Sequence, residues 1–122
     1  MAATTFTVRH GSIRLKVTLR ETVEDVHRAY KANSCPGTRF SAGQCVHAFF
    51  APTASTTAKH VGIVILPQRG GRLDELVPHE VTHAVIHAQG GVLPRDDEAC
   101  ATAVGLLCAR IFRRLRKMGV TV

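Results

Sequence analysis

Residues 61–90 read VGIVILPQRGGRLDELVPHEVTHAVIHAQG. Val61 to Leu66 is an apolar run rich in β-branched residues, too short for a typical helix and closed by Pro67, which predicts a strand. From about Asp74 to Gln89 the apolar residues return at helical spacing (Leu76, Val77, Ala84, Val85, Ala88), and Gly90-Gly91 supplies a C-terminal stop. Pro78 falls inside this pattern. A proline in a helix interior removes a hydrogen bond and clashes with the preceding turn, so Pro78 is expected in the first turn or at a kink. A strand that feeds an amphipathic helix is the centre of the reading.

Working towards the N-terminus, Val46 to Ala51 is a second apolar run, ended by Pro52, and predicts another strand. Phe6 and Val8, then Ile13, Leu15, Val17 and Leu19, alternate with polar residues on either side of His10-Gly11-Ser12, the pattern of a hairpin with one buried face. Thr22 and Asp25 form a capping-box pair ahead of Val23, Val26, His27 and Tyr30, which recur at helical spacing until Asn33, Ser34 and Pro36-Gly37. Towards the C-terminus, Pro94 to Asp96 open a last helix running to about Met118, with Asp96 as its N-cap. The predicted order is β β α β β α α: an α+β domain with a sheet of about four strands packed against the motif-bearing helix and a long C-terminal helix.

The 122 residues, 13.2 kDa, fit one domain, 1–122. With 45% hydrophobic and 20% charged residues and a mean hydropathy of +0.06, the chain can bury a core. No apolar stretch reaches the ~18 residues of a membrane span, and Met1 to His10 has no apolar secretory segment, so a cytoplasmic protein is expected. The net charge is +7, but Arg110, Arg113, Arg114, Arg116 and Lys117 supply five of the basic residues, and the others nearly balance the acidic ones. Cys35, Cys45, Cys100 and Cys108 form no CxxC pair and are expected as reduced thiols; Cys35 and Cys45 flank a loop that an oxidising compartment can bridge.

His79-Glu80-Val81-Thr82-His83 is an HExxH motif. On a helix, residues four apart share a face, so two imidazoles can each give a nitrogen to one Zn²⁺ at about 2.0–2.1 Å. Glu80 adjoins the first ligand, in place to take a proton from a metal-bound water whose pKa the zinc lowers. The plain reading is a helix face with polar residues in solvent. Two imidazoles do not complete a zinc site, and the downstream candidates for a third ligand are His87, Asp96, Asp97 and Glu98. His87 lies about 12 Å of helical rise beyond His79, too far to share one ion with both other histidines. The acidic run opening the last helix is the better source, because after the glycine stop the chain reverses and the small residues Ala99, Ala101, Ala103 and Gly105 permit close helix approach.

On these residues the stretch from about Leu73 to Leu107 resembles the gluzincin type of zinc metallopeptidase, HExxH followed by a helix-borne glutamate, and is similar to ImmA/IrrE-like peptidases, of which compact versions occur in phage and bacterial genomes. The resemblance implies a zincin-like fold with His79, His83 and Glu98 as zinc ligands and Glu80 as the general base. Asp97 is the rival to Glu98. Pro78 before the first histidine departs from the pattern, as does Thr102 one turn after Glu98, where some gluzincins carry an aspartate that orients a metal-bound histidine. Asp97, Asp74 or a backbone carbonyl are the substitutes for that aspartate.

Other residues have two readings each. Tyr30 is core or an oxyanion stabiliser, His47 and His60 are packed or cleft residues, and Arg95 contacts substrate or pairs with Asp97. Val61 to Leu66 is either an edge strand that holds an extended peptide or a buried core strand, the latter favoured by its continuous apolarity. The basic C-terminal turns, interleaved with Ile111, Phe112, Leu115 and Met118, read first as a packed helix with a solvated face, and otherwise as a contact for nucleic acid, a partner or an anionic membrane surface. The expected activity is zinc-dependent endopeptidase hydrolysis of a protein or peptide. The alternative is a zincin-derived binding module with structural zinc that engages a host protein or nucleic acid.

Overall fold

The computed structural model describes residues 4–33, 46–53, 60–90 and 97–122. Strand β1 (Thr4–His10) turns through Gly11-Ser12 into β2 (Ile13–Thr22), followed by helix α1 (Val23–Asn33), strands β3 (Phe49–Pro52) and β4 (Gly62–Arg69), and helices α2 (Leu73–Ala88) and α3 (Asp97–Lys117). The order is the predicted one, and the domain is α+β. Gly11 at φ 57°, followed by a residue with negative φ, gives the turn geometry that matches strand twist in a two-residue hairpin. Thr22 caps α1: its hydroxyl accepts from the Asp25 amide (3.2 Å) while the Asp25 carboxylate accepts from the Thr22 amide (3.3 Å).

The sheet order is β1-β2-β4-β3, with β2 and β4 parallel and the outer pairs antiparallel. Alternation along the hairpin places Phe6, Val8, Leu15, Val17 and Leu19 on one face, where they pack with Val64 and Leu66 beneath α2 and α3. On the other face α1 packs Val26 and Ala29 against Ile65. Val64, Ile65 and Leu66 are therefore buried from both sides, as the continuous apolar run requires. The edge-strand reading of Val61 to Leu66 is overturned, since β4 lies between β2 and β3; the edge strand on that side is β3.

Two boundaries differ from expectation for physical reasons. The third strand begins at Phe49 and not Val46, and β4 continues through Pro67 to Arg69. The amide of Thr53 donates to the Val61 carbonyl (3.0 Å), which makes Pro52/Gly62 and Phe50/Val64 the non-hydrogen-bonded pairs of the β3–β4 ladder. The nitrogen of Pro67 then faces the β3 side, beyond the last β3 partner at Ile65, so the ladder loses no bond there. Of the two places expected for Pro78, the first turn is overturned: the residue stands inside α2, beyond the first turn. The carbonyl it leaves without a helical partner belongs to Asp74, an exposed residue, where water can replace the lost donor. The expected N-cap Asp96, the Cys35–Cys45 pair, Arg95 and the Asp97 side chain lie outside the described residues.

Candidate metal centre

Helix α2 turns Val77, Val81, Ala84 and Val85 into the core, which leaves His79 and His83 on its exposed side one turn apart. Their Nε2 atoms are 3.3 Å apart and their rings meet edge to face at 74°. Two nitrogens bound to one tetrahedral zinc at about 2.0–2.1 Å stand ~3.3 Å apart, so the pair already has the spacing of a tetrahedral edge. Glu80 completes the cluster. One ligand atom from each of His79, Glu80 and His83 lies within 4.8 Å of the others, and among the described residues no other group of three or more His, Cys, Asp or Glu side chains converges in this way.

Glu80 differs from its neighbours in burial. It is 6% exposed, the one buried charged residue among those described, and a carboxylate oxygen lies 3.8 Å from His79 Nε2. Burial raises its pKa above the ordinary carboxylate value, and the two histidines and a hydrogen bond from the Phe50 backbone amide only partly offset this. That amide is available because Phe50 and Val64 form a non-hydrogen-bonded pair, which turns the Phe50 N–H away from β4 and towards α2. Gly62 permits the close fit of β3 and the Phe50 ring against β4: a Cβ there would stand 2.4 Å from the Ala51 carbonyl oxygen and 2.6 Å from the Phe50 ring. Edge strand and motif helix are thus joined at the acid itself.

Beside the cluster lies an open hollow of about 350 Å³, lined by Phe49, Phe50, Pro52, Glu80, His83, Ile86 and His87. His87, excluded as a ligand by helical rise, packs against the Phe50 ring at 5.8 Å with the planes tilted by 58°, and forms part of this wall. Its spacing from His83 was the signal for a shared face. Nothing in the sequence signalled Phe50, whose role depends on how β3 packs across the fold.

Glu98 is exposed on the first turn of α3 and is not part of the convergent cluster. Asp74 pairs with Arg72 at 3.5 Å and Thr102 is exposed. Tyr30 packs edge to face on Phe49 at 5.3 Å. His47 lines a separate hollow with Thr22, Val23, Glu24, Arg69 and Gly70, and His60 contacts the Thr7 hydroxyl at 3.2 Å; neither lines the hollow beside the cluster. Cys100 and Cys108 are free thiols. Among the described residues no helix is long and apolar enough to cross a membrane.

No family model, curated protein or solved structure matches this chain.

Proposed function

We propose that the chain is a minimal zinc-dependent endopeptidase of the cytoplasm, acting on a protein or peptide substrate. The observation that carries the reading is the 3.3 Å approach of the His79 and His83 Nε2 atoms beside the buried carboxylate of Glu80. His79 and His83 would hold the ion, and Glu98, on the first turn of α3, would be the third ligand. When bound, zinc acts as a Lewis acid towards water and the scissile carbonyl. Glu80 takes a proton from the attacking water at a carboxylate oxygen and returns it to the leaving amine nitrogen as the C–N bond breaks. The upward shift of its pKa, caused by burial, makes Glu80 a stronger base than an ordinary carboxylate, which suits a group that takes up a proton and passes it on. The Phe50 backbone amide donates a hydrogen bond to this carboxylate. The apolar wall of Phe49, Phe50, Pro52 and Ile86 accepts one substrate side chain next to the bond cleaved, with His87 at its rim.

Incubating the zinc-loaded protein with a quenched fluorescent peptide library tests the reading. Cleavage that chelator abolishes and Glu80→Gln lowers by ~100-fold or more is expected. Cleavage at the same rate in Glu80→Gln would contradict it.

A further inference from the structure

The sheet face opposite α2 and α3 carries a charge arrangement that the zinc site does not use. Arg9 of β1 and Arg14 of β2 are register partners, as are Thr7 with Lys16 and Thr5 with Thr18. Because Phe6, Val8, Leu15 and Val17 point to the core, these six side chains share the other face. The Arg9 carbonyl accepts from Arg110, and the Arg14 carbonyl accepts from the Val61 amide at 2.9 Å, so the two residues bond away from each other. They therefore form a non-hydrogen-bonded pair, the geometry that brings opposed side chains closest, at a Cα separation of about 4.5 Å. Like charges directly opposed in this position destabilise a sheet.

Nothing in the described residues relieves that opposition. Among the described residues no carboxylate lies within ion-pair distance of Arg9, Arg14 or Lys16, whereas Arg28, Arg69 and Arg72 are all paired. The first 73 residues contain ten basic residues against only Glu21, Glu24 and Asp25, and residues 26–73 contain no acid at all. The positive charge of the chain is thus not confined to α3. Protection of an exposed strand edge accounts for Arg9 but not for Arg14 and Lys16, because β2 is an interior strand.

We infer that the Arg9–Arg14–Lys16 face of the β1–β2 hairpin is a docking surface for the phosphodiester backbone of a nucleic acid duplex. Cations spaced along a strand at ~6.8 Å are groups that contact phosphate oxygens, while the threonine hydroxyls beside them are engaged with side chains, Thr5 with Thr18 at 3.1 Å and Thr7 with His60 at 3.2 Å. The ring at this face is the His60 imidazole, which the Thr7 hydroxyl engages at 3.2 Å, and one ring is not a row of platforms for successive unpaired bases, which favours a duplex over a single strand. The face exposes no apolar side chain for insertion into a bilayer. Arg110, reaching the Arg9 carbonyl across the β1 edge, extends the surface towards α3. Recognition is of charge and spacing, without base readout.

The test is fluorescence anisotropy of a short mixed-sequence DNA duplex titrated with the full chain at 50 and 200 mM salt. Neutralisation of three phosphates predicts a ~40-fold loss of affinity across that interval. Arg9→Glu places an opposite charge across from Arg14, so this variant should melt no lower than wild type and yet bind at least ~5-fold more weakly, with a shallower salt dependence. Arg116→Glu, at the far end of α3, should bind as wild type does. Absence of duplex binding by wild type overturns the inference. So does weakened binding by Arg116→Glu with Arg9→Glu unaffected, or Arg9-dependent binding to phosphatidylserine vesicles without binding to the duplex. None of these readouts depends on zinc or on peptide cleavage.

Discussion

The carboxylate of Glu80 and the backbone amide of Phe50 meet across the gap between α2 and the edge strand β3, so the acid of the HExxH motif is tied to the wall of the adjoining hollow.

That acid is held at a cost. Burial raises the Glu80 pKa, so ionisation opposes folding: its penalty is absent while the carboxyl is protonated and grows as pH rises above the unfolded value of about 4.3. Glu80→Gln keeps the acceptor for the Phe50 amide and removes the charge. The metal-free variant should melt above metal-free wild type at pH 7, with the difference shrinking at pH 4, as followed by circular dichroism.

Gly62 sets the position of Phe50. Because its Cβ would clash with the Ala51 carbonyl, backbone must shift and side-chain rotation cannot relieve the contact. Gly62→Ala should cost about 1–3 kcal/mol of stability by urea unfolding. Cleavage should fall more than zinc affinity does, since β3 moves while the two histidines stay on α2.

At the start of α1, the Arg28 guanidinium and the Thr22 hydroxyl hold the Asp25 carboxyl below its usual pKa. A depressed carboxylate pKa contributes stability above the unfolded value of about 3.9 that is lost as pH falls through the folded one. The melting temperatures of wild type and Asp25→Asn should differ at pH 7 and converge on acidification below about pH 4. Thr22→Ala should cost ~1 kcal/mol at pH 7.

The two described thiols should separate chemically. Burial pushes Cys108 up to about 11, whereas Cys100 is only partly buried. Iodoacetamide at pH 8, read by peptide mass mapping, should modify Cys100 in the folded protein and leave Cys108 until denaturant is added.

What was legible in the sequence had a local cause. The alternation of Phe6, Val8, Leu15 and Val17 fixes the hairpin faces, Thr22 and Asp25 mark the start of α1, and the spacing of His79 and His83 places both on one side of α2. What was not legible depends on partners distant in the chain. Pro67 looks like a strand end until β3 is seen to begin at Phe49, opposite Ile65, and so to leave Pro67 unpaired on that side, and Pro78 looks like a helix start until Leu73 is found packed in the core. Phe50 becomes a site residue only because β3 lies beside α2, and Glu98 sits exposed on a different helix from the motif it was matched to.

The most direct test of the account is the zinc content of the purified protein, by elemental analysis after dialysis against trace zinc without chelator, for wild type, His83→Ala and Glu98→Ala. The account predicts about one zinc per chain in wild type, none retained in His83→Ala and much weakened retention in Glu98→Ala. A wild-type chain that takes up no zinc, or a His83→Ala chain that keeps it, would contradict the claim that His79 and His83 form a metal centre.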